Sequence, residues 1–378
     1  MIMGDTRKTV AVIYGGRSGE HEVSLISAAS VVRSLDQAKY KVLLIGIDKK
    51  GVWYLQKDDE LQRCIAGSSA LAIHIDETRR VYAVCGGGTK ETFTTPATGI
   101  LPVDVLFPVL HGTYGEDGTI QGLFEMINVP YVGAGVLGSA IGMDKEIAKI
   151  LWIHAGLPVV PFISVRTLDW AVAERRKHII ERAERDFMYP LFVKPCCAGS
   201  SVGASKVHDR SGLEQAVATA LLWDDKILIE PFVPAREVEC SVTGNEKSEA
   251  YTPGEIVPTH EFYDYEAKYI DPDGAALLIP ADLTEKELKT IRELAIKAYR
   301  AAELSGLSRI DFFVRKDNGE ILLNEVNTMP GFTTISMFPK MCEASGLAYP
   351  DLLDTLICLA QERHTQRNAR NYSYKNGN

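Results

Sequence analysis

Short apolar runs alternate with amphipathic stretches through the first 140 residues of the chain. Thr9–Tyr14 reads as a buried strand closed by Gly15-Gly16, and a helical stretch follows from about Glu22 to Leu35. Tyr40–Ile47 reads as the next strand, and Val103–Leu110 as another that ends at His111-Gly112. A Gln121–Ile127 helix and a Pro130–Val132 strand complete this part. Such β/α alternation predicts an open parallel sheet of Rossmann-like type, with ligands at the C-terminal strand ends. The Gly-rich runs GGRSGE and HGTYGEDG both lie at such ends.

From about residue 144 the pattern changes. Asp144 can cap a helix that carries Ile147, Ile150 and Leu151 on one face and stops at Gly156 and Pro158. Arg166–Arg185 reads as a charged, solvated helix, and the runs Leu191–Lys194 and Ser200–Lys206 bracket a Gly/Ser loop. Ile227–Phe232 closes this region. Beyond 236 come long β segments, an aromatic-rich stretch at 260–270, and a helix near 285–303 with Leu288, Ile291, Leu294, Ala298 and Ala302 at helical spacing. The last ten or so residues are polar and read as frayed. These changes of texture set expected boundaries at 1–143, 144–235 and 236–378.

The chain has 378 residues, of which 46% are hydrophobic and 24% charged, a balance that excludes a disordered or collagen-like chain. A formal charge of −9 argues against general binding to nucleic acid or anionic membrane. The cysteines number seven and form no CxxC pair, which removes zinc-ribbon and thioredoxin-like readings and suits reduced thiols. The start of the chain lacks the apolar core of a signal peptide, and no uncharged apolar run reaches the roughly 20 residues needed to span a bilayer. A cytoplasmic protein is expected.

Candidate chemistry concentrates at 308–327. Arg309, Asp311 and Phe313 alternate with apolar residues, Asp317-Asn318-Gly319 is a hairpin turn, and the return strand ILLNEVN carries Glu325 and Asn327. The hairpin brings Asp311 roughly opposite Glu325. Two carboxylates and an amide oxygen suit Mg²⁺ rather than zinc, although the same pattern alone also fits a solvated strand face. Lys194-Pro195 precedes the loop Ala198–Gly203, a recipe for holding phosphates through a point charge and backbone N–H groups, or else a simple turn. Lys145, in the first turn of its helix, could add charge beside an anion. In ILIEPFV, residues 227–233, the proline argues for an edge or hinge, and Glu237 nearby could accept ribose hydroxyls. Glu20, where a helix begins, either favours the helix dipole or binds a substrate ammonium.

Taken together, GGRSGEHEVS (15–24), HGTYGEDGTIQG (111–122), GMDK (142–145), FVKP…GSSVG (192–203), EFYDYEAKY (261–269), SRID (308–311) and NEVNTMPGFTTIS (324–336) resemble the D-alanine–D-alanine ligases of the ATP-grasp superfamily, from Val10 to about Arg363. The resemblance implies three α/β domains, with ATP held between the central and C-terminal sheets. It implies that the first D-alanine carboxylate attacks the γ-phosphate to give an acyl phosphate, which the second amino group then attacks. Asp311, Glu325 and Asn327 match the ligands of two Mg²⁺ ions, for which Mn²⁺ can substitute. Lys145, Lys194 and Lys268 match the phosphate-binding lysines; Glu230, Val233 and Glu237 match adenosine contacts; Ser201 and Asn324 match further nucleotide contacts. Glu20, linked to Ser200 and Tyr269, matches the acid that holds the first ammonium, with His111 beside that substrate. Arg309 and the Gly331 N–H match the oxyanion-stabilising groups. Ser336 and Met337 match residues that bind the second substrate. A homodimer is the family expectation.

The aromatic segment 261–269 then resembles a lid that closes over the reactants, and a tyrosine at 269 goes with D-alanine as second substrate in the family. Where relatives usually carry a polar or charged pair between KP and GSSVG, this chain has Cys196-Cys197-Ala198. A bulky thiol reagent there is expected to jam the loop. The competing readings are a D-alanyl-D-lactate or D-alanyl-D-serine ligase, a nucleotide-binding regulator, and an NAD(P)-dependent oxidoreductase, which the missing GxGxxG fingerprint disfavours.

Overall fold

The structure is a computed structural model that describes residues 6–199, 202–258 and 275–372. Alternating apolar runs build a first sheet of order β3-β2-β1-β7 from β1 (Lys8–Gly15), β2 (Tyr40–Ile47), β3 (Trp53–Leu55) and β7 (Val105–Val109). β1 pairs in parallel with β2 and β7, as expected, but β3 returns antiparallel along β2. The sheet is therefore mixed. The Asp48–Val52 turn is too short for a crossover, and Asp48 N donates to Val52 C=O at 2.9 Å to close it. The strand expected at Pro130–Val132 is reduced to a single parallel bridge, Leu106 to Tyr131. A small antiparallel sheet of β4 (Tyr82–Ala83), β5 (Phe93–Thr95) and β6 (Gly99–Leu101) lies between.

A second sheet of order β10-β9-β11-β8 uses β8 (Ile163–Arg166), β9 (Leu191–Pro195), β10 (Ser205–Val207) and β11 (Lys226–Pro231). Here the proline misleads. β11 is internal, between β9 and β8, because Pro231 falls on its last residue, where the missing N–H interrupts nothing. β12 (Ala235–Gly244) follows at once and pairs along its whole length with β16 (Gly306–Arg315). With β13 (Ser248–Ala250), β14 (Gly254–Pro258), β15 (Ala275–Leu278) and β17 (Ile321–Asn327) these form the third sheet.

The expected helices form, but the Arg166–Arg185 stretch is divided into Thr167–Trp170 and Ala173–Asp186, with Arg166 ending β8. Asp144 caps the Lys145–His154 helix by accepting from Glu146 N and Ile147 N, as its position predicts. The buried face of that helix is Ala148, Lys149 and Trp152, however, while Ile147 and Ile150 are 38% and 46% exposed. Trp152 and Lys149 decide the rotation: the indole N–H donates to Ala298 C=O at 3.0 Å, and the lysine has internal partners. The Glu285–Ala301 helix starts on a Thr284/Glu287 capping box. The C-terminal Tyr349–Asn368 helix is held by Arg367, which donates to Asn128 Oδ1 at 3.0 Å, and by Arg363, which donates to the Tyr131 and Gly133 carbonyls. Its Leu352, Leu353, Leu356 and Ile357 share one core with Val10, Val12 and Val105, so this helix packs against the first sheet. Of the last ten or so residues, expected to fray, 373–378 lie outside the described residues. Among the described residues no helix is long and apolar enough to cross a membrane.

Candidate active site

The hairpin β16–β17 behaves as its alternation predicts. Ile310, Phe312 and Val314 are buried, while Arg309, Asp311 and Phe313 face the other way. Asp311 is in register with Glu325, and Arg309 with Asn327. The register then shifts between Asp311 and Phe312, so that Phe312 pairs with Leu323 and Asn324 is the extra residue. A bulge lets neighbouring side chains depart from strict alternation. Leu323 stays in the core, Asn324 meets Lys194, and Glu325 stays opposite Asp311.

On the other side of Asp311 the register partner is Glu239 of β12. Glu239, Asp311 and Glu325 therefore form a row across three strands, and Arg309 sits against it. The Arg309 guanidinium forks onto Asp311 (Nε to Oδ1 2.8 Å, Nη2 to Oδ2 2.7 Å) and its Nε lies 3.1 Å from Glu239 Oε2. Burial works against the arginine's charge, but Asp311 and Glu239 hold its pKa well above the usual value. Asn327 Nδ2 donates to Asp311 Oδ2 at 2.9 Å. Among the described residues no three His, Cys, Asp or Glu converge as a metal cage; the donors that the hairpin brings together are the Asp311 and Glu325 carboxylates and the Asn327 amide. The donor set fits a hard cation: all of its atoms are oxygens once the Asn327 amide turns its carbonyl inward.

Two lysines face this hairpin from the second sheet and its leading helix. Lys145 Nζ donates to Ala198 C=O at 2.9 Å and lies 3.5 Å from Glu325 Oε2. Burial works against its charge, yet Glu325 keeps its pKa above the usual lysine range. Lys194 Nζ donates to Asn324 Oδ1 at 2.9 Å and lies 2.9 Å from Glu230 Oε2. The seam is also stitched by backbone, since Leu323 N donates to Pro158 C=O at 2.8 Å. Glu237 is half-buried on β12, in register with Phe313, and Val233 is half-buried in the turn from β11 to β12. Cys197 N donates to Asp224 Oδ2 at 2.6 Å, which holds the start of the Gly/Ser loop.

The N-terminal loops converge on the same place. Glu20 immediately precedes the His21–Ser34 helix. A Cβ at Gly112 would come within 2.6 Å of Glu20 Oε2 and one at Gly199 within 3.1 Å, so both loops approach the carboxylate closely because they carry no side chain. Gly112 also has φ 72°, which independently favours glycine. His111 is buried, with Nδ1 3.0 Å from Met329 C=O and Nε2 3.2 Å from Ser27 Oγ. A carbonyl only accepts, so Nδ1 carries the proton and Nε2 accepts from the serine. Burial lowers the histidine's pKa, in keeping with a neutral ring. Glu116 takes Met329 from the other side, accepting from Met329 N at 2.9 Å and from Gly112 N at 2.7 Å. The backbone just before Gly331 is thus gripped at both its N–H and its C=O. A Cβ at Gly331 would meet Ser336 Oγ at 2.9 Å. Ser336 is the N-cap of the Met337–Ala344 helix and exchanges hydrogen bonds with Thr333. The Met337 side chain is buried against Gly254, which leaves its backbone as the part nearest the site.

Of the expected residues, Ser200, Ser201, Lys268 and Tyr269, with the whole 261–269 segment, lie outside the described residues. Sequence reasoning passed over Glu116, Lys149 and Glu239. Signals for them existed: Glu116 lies inside HGTYGEDG, Lys149 is one helical turn from Lys145, and Glu239 is two residues along the strand from Glu237.

Paired sheets whose seam carries lysines on one side and a row of acids on the other define an ATP-grasp enzyme. Within that class, the N-terminal model of the D-ala D-ala ligases matches residues 9–134 and the C-terminal model matches residues 151–358. The chain belongs to the D-alanine–D-alanine ligase family. It is 58% identical over 355 residues to a D-alanine–D-alanine ligase of Treponema denticola, covering 94% of this chain and 96% of that relative. The structure of the D-alanine–D-alanine ligase from Coxiella burnetii superposes with a TM-score of 0.82 at 37% identity, covering 96% of both chains. The VanG D-Ala:D-Ser ligase of Enterococcus faecalis superposes with a TM-score of 0.78 at 35% identity, covering 94% of this chain and 99% of that one.

Proposed function

We propose that this chain joins two D-alanine molecules into D-alanyl-D-alanine with ATP as the driving reactant, for a peptidoglycan precursor. The observation that carries this reading is the convergence of Glu20, the Lys145/Lys194 pair and the Asp311–Glu325 row on one site, in a chain so similar to named ligases of this kind.

In this reading an oxygen of the first D-alanine carboxylate bonds to the γ-phosphorus, and the bond to the bridging oxygen breaks as ADP leaves. The second amino group, having lost a proton, then bonds to the acyl carbon and inorganic phosphate departs. Glu20 receives the first ammonium, and the bare Gly112 and Gly199 backbones give it room. Lys145 and Lys194 balance phosphate charge at a point where the transferred group needs electrostatic help more than covalent chemistry. A divalent cation held by Asp311, Glu325 and Asn327 would supply further positive charge there, Mg²⁺ being the ion this oxygen set suits. Arg309 and the Gly331 N–H face the developing oxyanion, the latter aimed by the grip of His111 and Glu116 on Met329. Ser336 and the Met337 backbone, at a helix N-terminus, receive the second carboxylate. Because both Glu230 oxygens are engaged by lysines, its contact to adenosine runs through its backbone, next to Val233 and Glu237. Ser200, Ser201, Lys268 and Tyr269 complete the set.

We assign the three units to 1–143, 144–235 and 236–378, each with its own sheet, in a cytoplasmic homodimer. The test is phosphate release from ATP that depends on D-alanine, with D-alanine, D-lactate and D-serine compared as second substrate across pH. The likeness to a D-Ala:D-Ser ligase makes D-serine the informative comparison. Release without D-alanine, or a preference for D-lactate or D-serine, would sink the D-alanyl-D-alanine reading.

A further inference from the structure

Lys149 is fully buried, yet none of the roles above uses it. Its ammonium donates to Val160 C=O at 3.1 Å and to Glu230 Oε1, and lies 5.7 Å from the centroid of the Phe162 ring. The second oxygen of Glu230 is the one that meets Lys194. Two ammoniums therefore share one buried carboxylate, and the chain of contacts runs from Val160 through Lys149, Glu230 and Lys194 to Asn324, beside the metal-type row.

Stability does not account for this arrangement. A buried ion pair is often no better than apolar residues of the same volume, and Lys149 shares the buried face of its helix with the apolar Ala148 and Trp152. Charge balance does account for it. With Glu230 as its only close partner, Lys194 would be half of a neutral pair in a low-dielectric seam, and its pull on a polyanion would be largely cancelled. With Lys149 on the far oxygen, the three groups carry one net positive charge. Burial pushes the Glu230 carboxyl up, but the two lysines together bring it below its usual range, so it is an anion. Burial draws Lys149 down to about 8, against Glu230, which still leaves it protonated at neutral pH.

We propose that Lys149 is a positioning residue for the nucleotide: it neutralises Glu230, so that the Lys194 ammonium keeps an uncompensated charge for the phosphates. The proposal rests on the assignment of Lys194 to phosphate binding. The test is calorimetric binding of a non-hydrolysable ATP analogue with Mg²⁺ to the full chain, alongside the KM values for ATP and D-alanine. Lys149→Met should weaken analogue binding and raise the KM for ATP by roughly tenfold, with the KM for D-alanine in the first site within about twofold. Lys149→Met combined with Glu230→Gln removes both charges and should restore most of the affinity, which a purely structural role for Lys149 would not do. Parental affinity in Lys149→Met, or a double variant that binds no better than the single one, overturns the proposal. If Lys149→Met does not fold, the double variant decides alone: near-parental affinity supports the proposal and a tenfold loss overturns it. Lys194→Met separates the two readings. If it binds the analogue normally, the Lys194 assignment fails; if it is weakened while Lys149→Met is not, the Lys149 proposal alone fails.

Discussion

Asp311 and Glu325 stand opposite one another across the β16–β17 ladder, at the last pair before the register shifts. The shift turns Asn324 toward Lys194 without moving Glu325 off its row, so one bulge serves both the carboxylate pair and the lysine. Removing one charge from the row while keeping its shape should damage chemistry and spare folding. Glu325→Gln is expected to lower turnover by about two orders of magnitude or more, with thermal unfolding within a few degrees of the parent. Near-normal activity at saturating Mg²⁺ would refute the metal role.

Glu116 makes stability depend on pH. Burial, with Glu20 as a second cause, raises its pKa from 4.5 to about 8 against the pull of two backbone N–H groups. Between those values the folded chain holds a proton that the unfolded chain has released, so stability falls as pH rises through this window. The slope from this one group is at most about 1.4 kcal/mol per pH unit. Urea unfolding from pH 5 to 8 should show a flatter dependence in Glu116→Gln than in the parent, and identical slopes would contradict the assignment.

Asp144 does two things that different substitutions can separate. It caps the Lys145–His154 helix through Glu146 N and Ile147 N, both at 3.1 Å, and pairs with Lys226 at 2.6 Å. Asn keeps the cap and loses the charge, whereas Ala loses both. Asp144→Ala should therefore be less stable than Asp144→Asn by about 1 kcal/mol in denaturant unfolding. Because Lys145 is the first residue of that helix, the alanine variant should also show the larger rise in the KM for ATP.

The cysteine pair ahead of the Gly/Ser loop should be less reactive than its position in the sequence suggests. Burial pushes both Cys196 and Cys197 up to about 12, and thiols in that state are poor nucleophiles near neutral pH. Cys85 and Cys358 are exposed. At pH 7.5, peptide mapping after limited alkylation should find label on Cys85 and Cys358 first, with activity retained. Inactivation should track later modification of Cys197, and early loss of activity mapped to Cys196 or Cys197 would contradict this.

Much of this was legible along the chain because it depends on local pattern. The period-two alternation of β16, the Asp317-Asn318-Gly319 turn and the Asp144 cap each lie within a few residues, and all appear where expected. The errors were non-local. Nothing inside ILIEPFV says that strands will flank it on both sides. The isoleucines of the Lys145–His154 helix offered a plausible apolar face, but the buried stripe was set by where Trp152 and Lys149 found partners in remote segments. The grip of Glu116 and His111 on Met329 spans more than two hundred positions and leaves no periodic trace.

The sequence by itself determined the alternation of the β16 hairpin strand, the helix cap at Asp144 and the family, since these follow from side-chain type at short and fixed spacing. The tertiary structure alone decided which charges meet. Glu239 joins the Asp311–Glu325 row by strand register, Glu230 is shared by two lysines, and β3 runs antiparallel. The physical reason is that a charge's effect depends on distance and burial, and both are set by segments that fold against each other from far apart in the chain.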